Sequence, residues 1–140
     1  MKATELMIGN WVKFKVNKTP NTIESINFSG VCTLDKIGVV MVDGLKPIPL
    51  TEEWLIKFGF SSGKMGWKSI KYFTDCNECT EEITISYNLE SKRLAIFDSI
   101  EETDMVNILS YPIYCAKPLK HVHQLQNLYF ALTNEELTIK

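Results

Sequence analysis

Arginine is nearly missing from this chain. Arg93 is the single one among 140 residues, and only two histidines accompany it. Neither half of the chain is expected to be a strong polyanion binder, because sequence-independent nucleic-acid affinity needs many phosphate contacts from Arg and Lys. Long apolar runs are absent as well. The longest, such as Ile37 to Val42, fall far short of the roughly 20 residues that cross a bilayer. The chain does not open on the charged, then apolar, then small-residue order of a secretory leader, so a soluble cytoplasmic protein with no membrane partner is expected. Four cysteines in that setting read as free thiols rather than a disulfide framework. The usual catalytic and nucleotide signatures, G-x-S-x-G, H-E-x-x-H, the P-loop and G-x-G-x-x-G, do not occur. No residue is nominated as a nucleophile, and a non-enzymatic role is the expectation.

What is present is an ordinary globular composition, 45% hydrophobic and 23% charged. A chain of this length buries enough surface to build a proper core. Net charge is −2 but uneven: residues 1–50 hold six Lys and four acids (+2), and residues 51–140 hold nine Lys/Arg and thirteen acids (−4). The expected organisation is one compact domain over 1–140, with subdomains at 1–50 (small β) and 51–140 (α+β).

The pattern predicts an α+β fold with antiparallel strands. A short helical turn with Thr4 as N-cap leads into a strand from Trp11 to Val16, where Trp11, Lys13 and Lys15 alternate with Val12, Phe14 and Val16. Further strands are read at 22–28, 31–34 and 38–42, and Asp43-Gly44 is a turn. Four or so short strands at this spacing suggest a small SH3-like curled sheet. Thr51, Glu52 and Glu53, with Gly59 behind them, bound a helix at about 51–58, with Phe60 and Leu55 placed for a Schellman ending. Strands at 67–73, 82–89, 93–98 and 113–117 make a second, C-terminal sheet; residues 99–111 read as a loop with one short element. A closing helix at about 121–132 carries Val122, Leu125, Leu128, Tyr129 and Leu132 as its core stripe.

Four constellations carry possible chemistry. Cys76-Asn-Glu-Cys79 has half the spacing of a zinc ribbon, and Cys32, Cys115, His121 and His123 complete it only if the fold brings them there; a polar hairpin loop is the preferred reading, and no cofactor is expected. The acidic groups Asp75/Glu78/Glu81/Glu82 and Asp98/Glu101/Glu102/Asp104 lack the spacing of a calcium loop and read as solvated charge. On the closing helix His123, Gln126, Asn127 and Phe130 fall at i, i+3, i+4 and i+7. They form either a binding face or, the preferred reading, a set of side chains that fix neighbouring loops. His121 and His123, two apart on a helix, are expected to diverge. Lastly, Trp11, Lys13 and Lys15 make a cationic, aromatic strand face of the kind that meets single-stranded nucleic acid; with so modest a charge excess the preferred reading is the ordinary one, a half-buried Trp at a subdomain interface.

Three blocks resemble a known family: Leu6-Met-Ile-Gly-Asn-Trp-Val12, Ile48-Pro-Leu-Thr-Glu-Glu-Trp-Leu-Ile-Lys-Phe-Gly-Phe60, and His123-Gln-Leu-Gln-Asn-Leu-Tyr-Phe-Ala-Leu-Thr-Asn-Glu-Glu-Leu137. They are similar to blocks in small proteins of gut Bacteroidetes and their phages or integrated elements. That family has Gly where Asn134 stands, which fits a left-handed helix end, and its pattern does not include Cys76 or Cys79. The resemblance implies a mobile-element origin and no activity. The functional expectation is an accessory binding protein that meets another protein through the N-terminal sheet or the closing helix. The alternatives are a nucleic-acid-binding module using Trp11, Lys13 and Lys15, and a zinc or other metal protein or enzyme.

Overall fold

A computed structural model describes residues 1–16, 18–62, 67–76, 79–98, 113–114 and 117–140, without the side chains at 67, 72–76, 79–82, 97–98 and 113–114. The fold is α+β, with two antiparallel sheets of five strands each among the described residues. It divides into two units, Met1–Leu50 with Lys120–Thr138, and Thr51–Leu119 with Ile139–Lys140. The division after residue 50 is where the composition of the chain changes. The closing helix, however, joins the N-terminal unit and not the stretch 51–140 in which the sequence placed it. Its entry is strapped there by backbone bonds, Leu50 N–H to Lys120 O at 2.9 Å and Val122 N–H to Ile48 O at 3.0 Å.

In the N-terminal unit, period-two alternation produces strands β1 (Trp11–Phe14), β2 (Pro20–Ile26), β3 (Val31–Leu34), β4 (Gly38–Met41) and β5 (Leu45–Pro47). The sheet order is β4-β3-β2-β1-β5, with a 3-10 turn, Val42–Gly44, before the last strand. This meander, closed by a strand that returns to pair with β1, is the connectivity expected of an SH3-like curled sheet. The turn expected at Asp43-Gly44 is present as part of that 3-10 turn. One face of the sheet holds Val12, Ile23, Cys32, Leu34 and Leu45, which pack with Leu6 and Val42 into a core. The opening turn is 3-10, Ala3–Glu5, and starts after Lys2; Thr4 therefore lies inside it and is not its N-cap.

The closing helix, α2, runs Val122–Thr133. His121 is its N-cap, and the Gln124 side-chain carbonyl accepts the His121 N–H at 3.1 Å. Asn134 ends the helix in the left-handed region, φ 56°, donating to Phe130 O at 2.7 Å. Its buried face differs from the expected stripe. Val122, Leu125 and Tyr129 are buried, but Leu132 is 41% exposed, while His123, Gln126 and Thr133 are buried in its place.

The second unit begins with a short helix, α1 (Glu52–Lys57). Thr51 has the extended backbone of an N-cap but makes no side-chain capping bond. The Schellman ending is present: Gly59, φ 87°, donates to Ile56 O and Phe60 to Leu55 O, both at 2.9 Å, with Phe60 and Leu55 buried. The sheet follows in the order β10-β9-β8-β7-β6, from β6 (Ser61–Ser62), β7 (Trp67–Cys76), β8 (Cys79–Asn88), β9 (Arg93–Asp98) and β10 (Ile113–Tyr114). The β7 and β8 backbones pair without a break from Trp67↔Asn88 to Cys76↔Cys79. The two strands thus run past the expected 67–73 and 82–89, taking in residues 74–76 and 79–81. Tyr87 is buried here, its hydroxyl donating to Leu119 O at 2.6 Å, and burial pushes its phenol up to about 12. Lys68, also buried, reaches Glu52 at 2.6 Å and Ser62 Oγ at 2.7 Å. Among the described residues no helix is long and apolar enough to cross a membrane.

Candidate binding surface on the N-terminal sheet

The amides of α2 face the N-terminal segment. Gln126 Oε1 accepts the Trp11 N–H at 2.9 Å, and its Nε2 donates to Gly9 O at 3.1 Å and Leu137 O at 3.3 Å. Asn127 Oδ1 accepts from Asn10 Nδ2 at 2.8 Å, and its Nδ2 donates to Glu5 O at 2.9 Å. Asn10 in turn accepts the Met7 N–H at 2.9 Å. Buried backbone groups must be paired somewhere. These side chains pair the ones left over where the chain enters β1, and they lock residues 5–11 to the helix. Phe130 is half-buried beside them.

His123 is 3% exposed, and its Nδ1 is buried without a hydrogen-bond partner among the described residues. Burial, reinforced by the neighbouring His121 and the N-terminal amine and opposed by Glu5, holds its pKa down at about 4. His121 and His123 do not diverge as helical spacing predicts. Their rings stack with centroids 5.7 Å apart and planes 9° from parallel, because His121, at φ −132° and ψ 151°, stands before the helix rather than in it.

No group of three or more His, Cys, Asp or Glu side chains converges among the described residues. Cys32 is a core side chain whose thiol points at Val40 O at 3.7 Å, and burial pushes its pKa up. The side chains of Cys76 and Cys79, the whole of Cys115 and the 99–111 segment lie outside the described residues.

The face of the sheet turned away from the core has two different halves. On β1, Trp11 and Lys13 lie opposite in direction to buried Val12. Register places Lys13 directly across from Lys46 of β5 and from Pro20 of β2. Directly opposed residues of an antiparallel pair share a face. The sequence pattern could not supply Lys46, thirty-odd residues further on, as a neighbour. Lys15 N–H bonds Gly44 O at 2.9 Å just past the end of β1, and Lys15 is exposed. Lys36, from the β3–β4 turn, sits with its Nζ 5.9 Å from the Trp11 ring centroid and 3.5 Å from Pro20 O. No ion pair among the described residues involves Lys13, Lys15, Lys36 or Lys46. Asp35, next to Lys36 in the same turn, accepts the Thr22 N–H at 2.9 Å.

The other half is apolar. Val39 and Met41 of β4 are 72% and 53% exposed and stand across from Thr33 and Val31 of β3. Beside them, Phe28 is 103% exposed at the tip of the β2–β3 turn. That turn is built, not loose: Asn27 Oδ1 accepts the N–H groups of Ser29 and Val31, both at 3.0 Å, and Gly30 takes φ 76°. β4 is also the edge of the sheet. Its sequence, Gly-Val-Val-Met, has none of the charges or prolines that ordinarily guard an edge.

No family model, curated protein or solved structure matches this chain.

Proposed function

We propose that this is an accessory binding protein whose partner is another protein, received at the β4 edge of the N-terminal sheet. The observation that carries the reading is the uncharged edge strand Gly38–Met41, which presents Val39 and Met41 beside a fully exposed Phe28. An edge of this kind offers a row of main-chain donors and acceptors and adds a strand from a partner, while flanking apolar side chains supply the burial. A segment without charge, extended and apolar on alternate residues, is the matching ligand. The resemblance to proteins of phages and integrated elements supports an accessory role within such an element.

The test is site-specific photo-crosslinking in the native host, with the reactive side chain at Val39 and, as control, at exposed Glu90 of the second unit. A discrete heteromeric adduct from Val39 alone, lost when Met41→Lys is added, is the expected result. Adducts only between two copies of this chain, or none at either position, would overturn the proposal.

A further inference from the structure

The cationic half of the same sheet face is a separate feature. Lys13 and Lys46 oppose each other directly, and like charges in that position destabilise a sheet. Lys36 adds an ammonium group beside Trp11 and Pro20, Lys15 follows Lys13 just past the end of β1, and none of the four is ion-paired among the described residues. A cluster that repels itself gains from a bound anion. It is spread over β1, β5 and the β3–β4 turn, so a ligand with several linked charges fits it better than a single phosphate or carboxylate. Beside Lys36, at the start of β1, lies the Trp11 indole, which suits a chain that carries aromatic groups between its charges.

We propose that this face binds a single-stranded nucleic acid, with phosphates on Lys13, Lys15, Lys36 and Lys46 and a base against Trp11. Single strands meet the requirement because their bases are free to leave the stack and lie on an aromatic side chain, whereas duplex bases are covered. Lys36, now over the indole, moves from ring to phosphate as the base arrives. The inference stands apart from the protein-binding edge, which uses Val39, Met41 and Phe28, and either can fail alone.

The experiment is fluorescence anisotropy of the intact protein with a labelled oligothymidine and an oligouridine, against a duplex of the same length and polyglutamate. Single strands should bind best, with log K falling against log salt at a slope of about −2 to −3 for three or four phosphates. Lys13→Gln with Lys46→Gln should remove about 1.4 from that slope and weaken low-salt binding about tenfold. Val39→Lys should leave the single-strand preference and the effect of the two Gln substitutions in place. Circular dichroism and thermal melting confirm that the variants fold. The proposal is overturned if single strands fail to bind at low salt, if the duplex binds as well, or if the double variant retains the full slope. Polyglutamate binding in place of the oligonucleotides would assign the face to an acidic protein and overturn it equally.

Discussion

Gln126 accepts the backbone N–H of Trp11 at 2.9 Å across 115 residues of sequence. The same amide donates to Gly9 O and Leu137 O. One side chain of α2 therefore fixes where β1 begins and, with it, how Trp11 and Lys13 are presented.

Replacing Gln126 with Leu strands one donor and two acceptors. An unpaired buried group costs about 1–3 kcal/mol, and partial relaxation brings the expected total to about 3 kcal/mol. Urea unfolding followed by far-UV circular dichroism checks it. A loss under about 0.5 kcal/mol, the range of ordinary surface substitutions, would mean the three backbone groups have other partners.

Asn10 and Asn127 act as a unit, because Asn127 bonds Asn10 while each also bonds backbone in the 5–7 segment. Their single Ala substitutions should not add. A double-mutant cycle is expected to show a coupling of about 1 kcal/mol, within the range for residues in one hydrogen-bond network. Additive losses would show that the two amides act independently.

The helix ends respond to backbone conformation. Gly59→Ala places a Cβ at φ 87°, 2.7 Å from Lys140 Cδ, and should cost about 1–2 kcal/mol, chiefly from the left-handed backbone because the lysine end can yield. Asn134→Gly relieves the milder case at φ 56° and should gain a few tenths of a kcal/mol, since Asn tolerates that region better than most residues. Thermal melting of the two variants should shift in opposite directions.

His123 makes stability depend on pH. Its pKa is lowered from 6.5 to about 4 in the folded protein. Above pH 6.5 the ring is neutral in both states. Between 6.5 and 4 the unfolded chain binds a proton that the folded one does not, so stability falls as pH falls, and the loss levels off below 4. The full effect is about 3 kcal/mol. Unfolding free energies from pH 7.5 to 4 should show this slope, and His123→Gln should remove it. A slope unchanged in the variant would assign it to the carboxylates.

Part of this architecture was legible because it is local. The ending of α1 follows from Gly59 with Leu55 and Phe60 in fixed order, and β3 at Val31–Leu34 follows from alternation bounded by turn residues. Helix and strand periods, caps and turns depend on residues within a few positions of each other, so a sequence states them directly. The buried face of α2 was not legible in full. Apolar spacing pointed to Leu132, but the helix buries His123 and Gln126, and the Gln126 amide pairs backbone groups at Gly9, Trp11 and Leu137. The stacking of His121 on His123 was hidden for a related reason, the helix starting one residue later than its pattern.

By itself the sequence determined both α-helices and the longer strands, though not β5 or β6, that Trp11 and Lys13 share a face, and that α2 is amphipathic. Only the tertiary structure decided that α2 belongs with the N-terminal sheet, that Lys46 and Lys36 join Lys13, and that Val39 and Met41 end up on an open edge. The reason is that strand order and register are set by pairing between segments far apart in the chain, where burial and unsatisfied backbone groups decide among alternatives that local propensity leaves equal.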